Sequence, residues 1–337
     1  MIQPEALLQQ YFGHKAFRAG QKQAIDAILS GRDVLAVMPT GAGKSVCYQI
    51  SALLLPGVTI VISPLISLMK DQVEALRQVG IPAAYINSSI SQEEFYHSMQ
   101  MLQQGQCRIL YVAPERLMTE SLLRLAQRVQ ISMIAVDEAH CVSQWGQDFR
   151  QSYLDIPVFM EQLPVRPVCT AFTATATKQV EADIARILKL RDPETIHTGF
   201  DRKNLFFGVR RPNSKMTELF HLLKENDGKS GIVYCSTRKA VEEVCASLCD
   251  TGFDATRYHA GLSDVERAQN QDDFLYDRKP IMVATNAFGM GIDKSNVSFV
   301  IHYNMPKDLE SYYQEAGRAG RDGEPAQCIL LYSGRDV

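Results

Sequence analysis

Residues Val34–Ser45 read V-L-A-V-M-P-T-G-A-G-K-S, and the fold turns on this stretch. Val34, Leu35, Ala36 and Val37 form an apolar run of strand length, preceded by the turn signal Gly31-Arg32-Asp33. Pro39, Gly41 and Gly43 break the run, and from Lys44 onward Val46, Tyr48, Ile50 and Leu53 recur at helical spacing. Strand, glycine loop and helix are the context that a phosphate-binding loop needs. The backbone N–H groups of Thr40, Gly41, Ala42 and Gly43 would curl around anionic oxygens, with the positive end of the helix dipole aimed at the same place. Lys44 would reach the β- and γ-phosphates of ATP, and the Ser45 hydroxyl would ligate Mg²⁺. Met38 stands where the motif G-x-x-x-x-G-K-[ST] has its first glycine, so the match is partial. Taken alone, T-G-A-G-K-S also suits a flexible turn that opens a helix.

Upstream, F-R-A-G-Q (Phe17–Gln21) leads into a helix with Ile25, Ile28 and Leu29 on one face. Gln21 offers one acceptor and two donors, a pattern that pairs with N6 and N7 of adenine, and Arg18 and His14 could stack on the base. A glutamine at a helix start is ordinarily a surface residue or a cap; nearness to the phosphate loop gives this one its interest.

Downstream, short β-branched runs alternate with helical segments: Val58–Ser63, Ala83–Ile86, Arg108–Val112, Met133–Val136 and a run from Cys169. That alternation predicts βαβ units and a parallel sheet, with ligands at the carboxyl ends of the strands. Ser63-Pro64, Ala113–Arg116 and Thr173–Thr175 then lie on the binding side. The strand Met133–Val136 delivers Asp137-Glu138-Ala139-His140. Unpaired charge at the end of an apolar strand is costly unless it has a task. Asp137 suits the Mg²⁺ opposite Ser45, and Glu138 suits polarisation of the attacking water. In isolation, two acids after a strand also suit a solvated turn.

A chain of 337 residues accommodates two domains of ~100–200 residues. The net charge of −3 excludes a bulk basic signature, so a polyanion must be held by local donors. The eight cysteines include no C-x-x-C pair and read as buried reduced thiols. Cys245 and Cys249 share a helical face, but two thiols make no zinc site. The start M-I-Q-P-E-A lacks the features of a secretion signal, and prolines and a glycine interrupt the apolar region Ser51–Met69. The expected setting is the cytoplasm, without a membrane.

The ordered set M-P-T-G-A-G-K-S, S-P-L-I-S-L-M-K-D-Q, Y-V-A-P-E-R-L, D-E-A-H-C-V-S-Q-W-G-Q-D-F-R and T-A-T-A resembles superfamily 2 helicases, and specifically the RecQ family. The segment after D-E-A-H discriminates: RNA helicases of the DEAH type share those four letters but not C-V-S-Q-W-G-Q-D-F-R. The resemblance implies that this loop senses single-stranded DNA and couples it to ATP hydrolysis. Trp145 and Phe149 offer faces on which unpaired bases stack, worth ~1–3 kcal/mol each. Core aromatics are the other reading, which the polar neighbours Ser143, Gln144, Gln147, Asp148 and Arg150 oppose.

The polar stretch Arg191–Asn204 is taken as the end of a first domain and a linker, giving domains 1–204 and 205–337. The second half restarts the alternation at Gly231–Cys235, Ala255–Tyr258, Ile281–Ala284, Val297–Tyr303 and Cys328–Tyr332, without a phosphate loop of its own. Gln314-Glu315-Ala316-Gly317-Arg318-Ala319-Gly320-Arg321 sets two always-charged planar forks among glycines, which suits close approach to a phosphate. By resemblance this segment faces the γ-phosphate, with Arg321 as the arginine finger and Arg318 beside it. Asp293 resembles the residue that contacts the ribose, and Thr237, Arg238, Thr285 and Asn286 those that grip the DNA backbone together with Ser63 and Pro64.

The chain departs from the family's usual proline at Ala19, Gln151, Lys203 and Ser295, and from its aromatic ring at His14. The resemblance runs from about Phe12 to Tyr332. It implies an α/β architecture of two tandem RecA-like domains, each a mostly parallel sheet flanked by helices, with nucleotide in the cleft between them. The expected activity is ATP- and Mg²⁺-dependent 3′–5′ movement on single-stranded DNA and on 3′-tailed duplex by a monomer, in recombination and repair. The family commonly continues into a zinc module and a winged helix; this chain is expected to be an excised catalytic core or a minimal member. The rival readings are an RNA-dependent ATPase, a binding module that uses ATP as a structural ligand, and a translocase that does not unwind.

Overall fold

The computed structural model describes residues 2–336 apart from 147, 200, 289–293 and 335, and apart from the side chain of Ser67. The chain divides into two compact units, 1–200 and 201–337.

In the first unit β1 (Val34–Val37), β2 (Val58–Ile62), β3 (Ala83–Ile86), β4 (Ile109–Val112), β5 (Ile131–Val136), β6 (Val168–Thr173) and β7 (Glu194–His197) form one sheet. Its order is β3-β4-β2-β5-β6-β1-β7, and every pairing is parallel. Successive residues of a strand point to opposite faces, and here they enter two separate cores. Leu35, Ile60, Ile62, Leu110 and Val112 pack into one core, while Val34, Ala36, Val61, Ile109 and Tyr111 pack into the other. Both faces are covered, which is why these strands are continuous apolar runs rather than alternating ones.

The second unit has β8 (Leu205–Arg210), β9 (Ser230–Tyr234), β10 (Ala255–Tyr258), β11 (Ile281–Ala284), β12 (Val297–His302) and β13 (Ala326–Leu331) in the order β10-β11-β9-β12-β13-β8, again parallel. Two tandem parallel sheets flanked by helices are what the sequence implies.

The stretch Arg191–Asn204, read as the end of a first domain and a linker, holds β7, which pairs with β1 from Val34↔Glu194 to Val37↔His197. Of its four residues only Ile196 is buried. At a sheet edge the polar side chains do their own work: Glu194 accepts from Gln23 Nε2 at 2.7 Å and from Arg32 Nη1 at 2.5 Å. The units part at 200/201, and Arg202 and Asn204 bond within the second of them.

The sheet order makes β5, β6 and β1 neighbours. The segments leaving their carboxyl ends therefore meet, and Met38 N donates to Thr173 O at 3.0 Å.

Candidate functional site

The loop after β1 is built to leave amide donors open. Gly41 and Gly43 adopt φ of 82° and 76°, conformations that a side chain resists. Gly43 precedes the helix Lys44–Leu54 as its N-cap, and no side chain caps that helix. The N-terminal amides are therefore available to an outside anion. A Cβ on Gly43 would lie 2.4 Å from Gln21 Nε2. The Lys44 ammonium donates to the carbonyls of Met38 at 3.1 Å and Pro39 at 3.5 Å. Ser45 and Thr40 are half-buried on the same turn.

Gln21, 3% exposed, braces this loop. Its Nε2 donates to Ala42 O at 3.0 Å and Gly43 O at 3.1 Å, while its Oε1 accepts from Arg18 N at 2.8 Å. Arg18 Nη1 donates to Gly41 O. The structure thus brings Arg18 and Gln21 against the phosphate loop, and it commits the glutamine amide to the loop backbone. His14 is exposed nearby in sequence.

The acid pair follows β5. Asp137 is 7% exposed. Burial, and then the Glu138 charge, push its carboxyl up to about 7, against the opposing pull of Lys44. Tyr153 donates its hydroxyl to Asp137 O at 2.9 Å and fixes the turn. Glu138 sits at φ 47° and ψ 49°, a left-handed conformation that costs a non-glycine residue ~1–3 kcal/mol. Its buried Oε2 has no hydrogen-bond partner. His140 Nδ1 lies 3.0 Å from Thr173 Oγ1, which donates to Thr175 O at 2.9 Å. Thr173 has spent its proton there and accepts from His140, so the imidazole carries its proton on Nδ1. The acid segment is thereby linked to the end of β6.

The loop beyond this segment presents Trp145 at 75% exposure and Phe149 at 38%. The core-aromatic reading fails for both. The loop is nonetheless pinned: Ser143 Oγ donates to Asp183 Oδ2 at 2.8 Å and accepts from Trp145 N at 3.2 Å. Arg150 Nη1 donates to Pro64 O at 2.9 Å, joining the aromatic loop to the segment after β2, where Ser63 is buried. Local pattern reveals neither link, since Asp183 lies 40 residues from Ser143 and Pro64 lies 86 from Arg150.

In the second unit β9 and β12 end side by side on Tyr234 and His302. His302 Nε2 lies 2.8 Å from Glu315 Oε2, on the helix Leu309–Ala316 that also carries half-buried Gln314. Arg318 is 6% exposed, and its Nε has no partner. Burial pushes the neighbouring Tyr234 phenol up to about 12, against the charges of Arg318 and Arg321. Thr237 and Arg238 are exposed at the start of the helix Arg238–Asp250, where Thr237 Oγ1 accepts from Ala240 N at 3.1 Å. Thr285 is buried and Asn286 exposed after β11. Asp293, and Gln147 of the aromatic loop, lie outside the described residues.

The donor set fits a magnesium nucleotide. The helix start has no side-chain cap, the Asp137 carboxyl needs a counter-charge, and buried Glu138 Oε2 has no hydrogen-bond partner, only His140 Nδ1 at 3.4 Å. Among the described residues no group of three or more His, Cys, Asp or Glu could hold a metal ion alone. Mg²⁺ needs no such cage, because it binds through one or two protein oxygens plus phosphates and waters. Also among them, no helix is long and apolar enough to cross a membrane.

A phosphate loop and buried acid pair on one parallel α/β unit, with paired arginines on a second, define the two-domain RecA-like class. Residues 18–183 match the DEAD/DEAH box helicase family and residues 214–323 the helicase conserved C-terminal domain. The ATP-dependent DNA helicase RecQ of Bacillus subtilis (strain 168) is 49% identical over 334 residues, covering 99% of this chain and 56% of that protein. Its namesake in Haemophilus influenzae is 46% identical over 331 residues, or 98% of this chain and 53% of that one. Saccharomyces cerevisiae Dbp5 bound to RNA and ADP BeF3 matches with a TM-score of 0.78 over 99% of this chain and 88% of its own; at 21% identity that likeness is one of fold. The chain belongs to the RecQ family of superfamily 2 helicases, whose two-domain helicase core it carries. It spans just over half the length of those two RecQ relatives.

Proposed function

We propose that this chain is an ATP-dependent DNA motor, as the names of its RecQ relatives suggest, and that, as the family resemblance implies, it moves 3′ to 5′ on single-stranded DNA and opens 3′-tailed duplex. The observation that carries the reading is one juxtaposition in the first unit. A phosphate loop with no side-chain cap lies within electrostatic reach of buried Asp137, Glu138 beside it is half-buried, and seven residues past Glu138 the same segment holds Trp145 out to solvent at 75% exposure. An indole so exposed on a pinned loop is a stacking platform for an unpaired base.

In this reading the backbone amides of residues 40–44 and the Lys44 ammonium hold the phosphates of ATP, while Ser45 and Asp137 hold Mg²⁺. The metal, when bound, neutralises charge between the β- and γ-phosphates. Glu138 Oε2, which has no hydrogen-bond partner and lies 3.4 Å from His140 Nδ1, accepts a proton from the attacking water. Arg318 and Arg321 meet the charge that develops on the γ-phosphate, a role worth ~10³–10⁵ in rate for arginine fingers. Asp293 takes the ribose. Arg18, His14 and Gln21 lie at the base, and Gln21 must exchange its loop bonds to read it. Ser63, Pro64, Arg150, Thr237, Arg238, Thr285 and Asn286 hold the strand. The working unit is a monomer in the cytoplasm, and the role is in recombination and repair.

The test is steady-state ATPase without polymer, with oligo-dT and with RNA of equal length, at fixed salt because phosphate contacts are salt-sensitive. DNA should stimulate turnover and RNA should not. Trp145→Ala should abolish the stimulation while leaving basal turnover. Equal stimulation by RNA, or none by either polymer, overturns the reading.

A further inference from the structure

The carbonyls that end a helix have no partners within it. The helix Leu309–Ala316 runs out at Gly317, and the next residues carry Arg318 and Arg321. The amides of this exit fold back on the helix: Gly317 N donates to Tyr313 O at 2.9 Å, Arg318 N to Glu315 O at 3.3 Å and Ala319 N to Ala316 O at 3.1 Å. The carbonyls turn the other way, onto one side chain from the start of the unit. Arg202 Nη1 donates to Gly317 O at 3.1 Å, and its Nη2 donates to Ala319 O at 3.0 Å and Gly320 O at 2.5 Å.

Asn204 extends the grip. Its Nδ2 donates to Gly320 O and Glu324 O, both at 2.9 Å, and its Oδ1 accepts from Arg202 Nε at 3.4 Å. Gly320 has φ 59°, and a Cβ there would fall 2.4 Å from Asn204 Nδ2. The glycine between the two arginines is therefore demanded by the clamp as well as by its own dihedral. Gly320 N also donates to Val297 O at 2.8 Å, at the start of β12. The backbone bearing Arg318 and Arg321 is thus held from both sides.

We infer that Arg202, assisted by Asn204, is a positioning residue for the arginine segment. Its planar fork against three carbonyls fixes the backbone from which Arg318 and Arg321 reach the phosphate. Arg202 is no catalytic residue, since it acts through the main chain of 317–320. Lysine cannot replace it: an ammonium keeps the charge but gathers its donors on one atom, whereas the guanidinium spreads five over a rigid plane. The inference rests on the reading of Arg321 given above, and the experiment separates the two.

Arg202→Lys, Asn204→Ala and Arg321→Ala are each assayed by single-turnover ATP hydrolysis with saturating oligo-dT, by KM for ATP and by thermal melting. In Arg202→Lys the hydrolysis rate should fall ~10–100-fold, the scale of a small misplacement at a reacting centre. KM for ATP, oligo-dT affinity and melting temperature should stay near the parent's. Asn204→Ala should show a smaller loss of the same kind. Placing Arg202→Lys in the Arg321→Ala background should cost less than it does in the parent, because one of the two arginines to be positioned is gone. An unchanged rate in Arg202→Lys beside a crippled Arg321→Ala overturns the clamp and spares the function reading. So does a loss that adds in full to that of Arg321→Ala, or one matched by an equal fall in melting temperature. A normal rate in Arg321→Ala overturns both.

Discussion

The two units each place a helix after an interior strand of the sheet, and the two junctions are finished in opposite ways. After β1 the helix Lys44–Leu54 begins on a left-handed glycine with no side-chain cap. After β9 the helix Arg238–Asp250 begins on Thr237, whose own hydroxyl accepts the Ala240 amide. A helix start always presents unsatisfied donors, and the sequence decides who satisfies them. The second unit satisfies one from within and gains stability. The first has no such side-chain cap, and so can take an anion. The lysines differ in the same sense. Lys294 in the second unit is 5% exposed and paired with Asp277 Oδ1 at 2.8 Å. Lys44 is half-buried, donates to main-chain carbonyls and sits within electrostatic reach of buried Asp137. One lysine is consumed by the fold, and the other is held for use. Binding and stability therefore draw on the same groups, and here they are divided between the units.

The largest effect should come from closing the first junction. Gly43→Ala puts a Cβ at φ 76° and 2.4 Å from Gln21 Nε2, so both the loop backbone and the brace must move. Strain of ~1–3 kcal/mol at the loop is expected, with ATP binding weakened by that amount or more. Titration calorimetry with MgATP reads it. Unchanged affinity would show that the loop geometry is not what binds. Next in size is the buried lysine of the second unit. Asp277→Asn leaves Lys294 beside a neutral amide and should cost about 1–3 kcal/mol in urea unfolding. The Lys294 hydrogen bond holds the Asp277 carboxyl below its usual range. Its contribution is thus full above the unfolded carboxylate value near ~4 and is lost as pH falls through the lower folded one. Asp277→Asn should flatten that acidic limb while leaving ATP binding intact. An unaltered acid profile would show that the Asp277 carboxyl does not set that limb.

How much of this contrast a reader of the sequence could see depended on the range of the interactions. T-G-A-G-K-S and D-E-A-H are local strings, and the buried parallel strands announce themselves as apolar runs because both faces are covered. Unlike the edge strands β3 and β10, β7 and β8 do not: β7 buries only Ile196, and β8 buries only Leu205 while Phe206 and Val209 stay exposed. Composition therefore reads them as loop. Gln21 was legible as a residue near the site but not as a brace, because its partners are main-chain carbonyls, which carry no signature in sequence. Arg202 was illegible for the same reason. It lies 115 residues from Gly317 and donates to backbone carbonyls there. What a sequence hides best is a side chain whose partner is the main chain of a distant turn.

The smallest effect tests whether the second junction differs only by its cap. Thr237→Ala removes the acceptor for the Ala240 amide and should cost about 1 kcal/mol, whereas Thr237→Gly should cost only a few tenths. Chemical denaturation of the two variants gives the ordering. The sharper reading is anion binding. Thr237→Gly leaves the start of that helix as bare as the one at Gly43, yet among the described residues that turn has no loop of left-handed glycines and no acid pair, and its ammonium, Lys239, is exposed and paired with Glu243 at 3.6 Å. It should gain no affinity for inorganic pyrophosphate. If it does gain affinity, the cap alone was keeping the second unit from binding phosphate, and the two junctions differ by one hydroxyl rather than by a built site. If it does not, an uncapped helix is a permission and not a site, and the glycines, Lys44 and Asp137 are what turn that permission into binding.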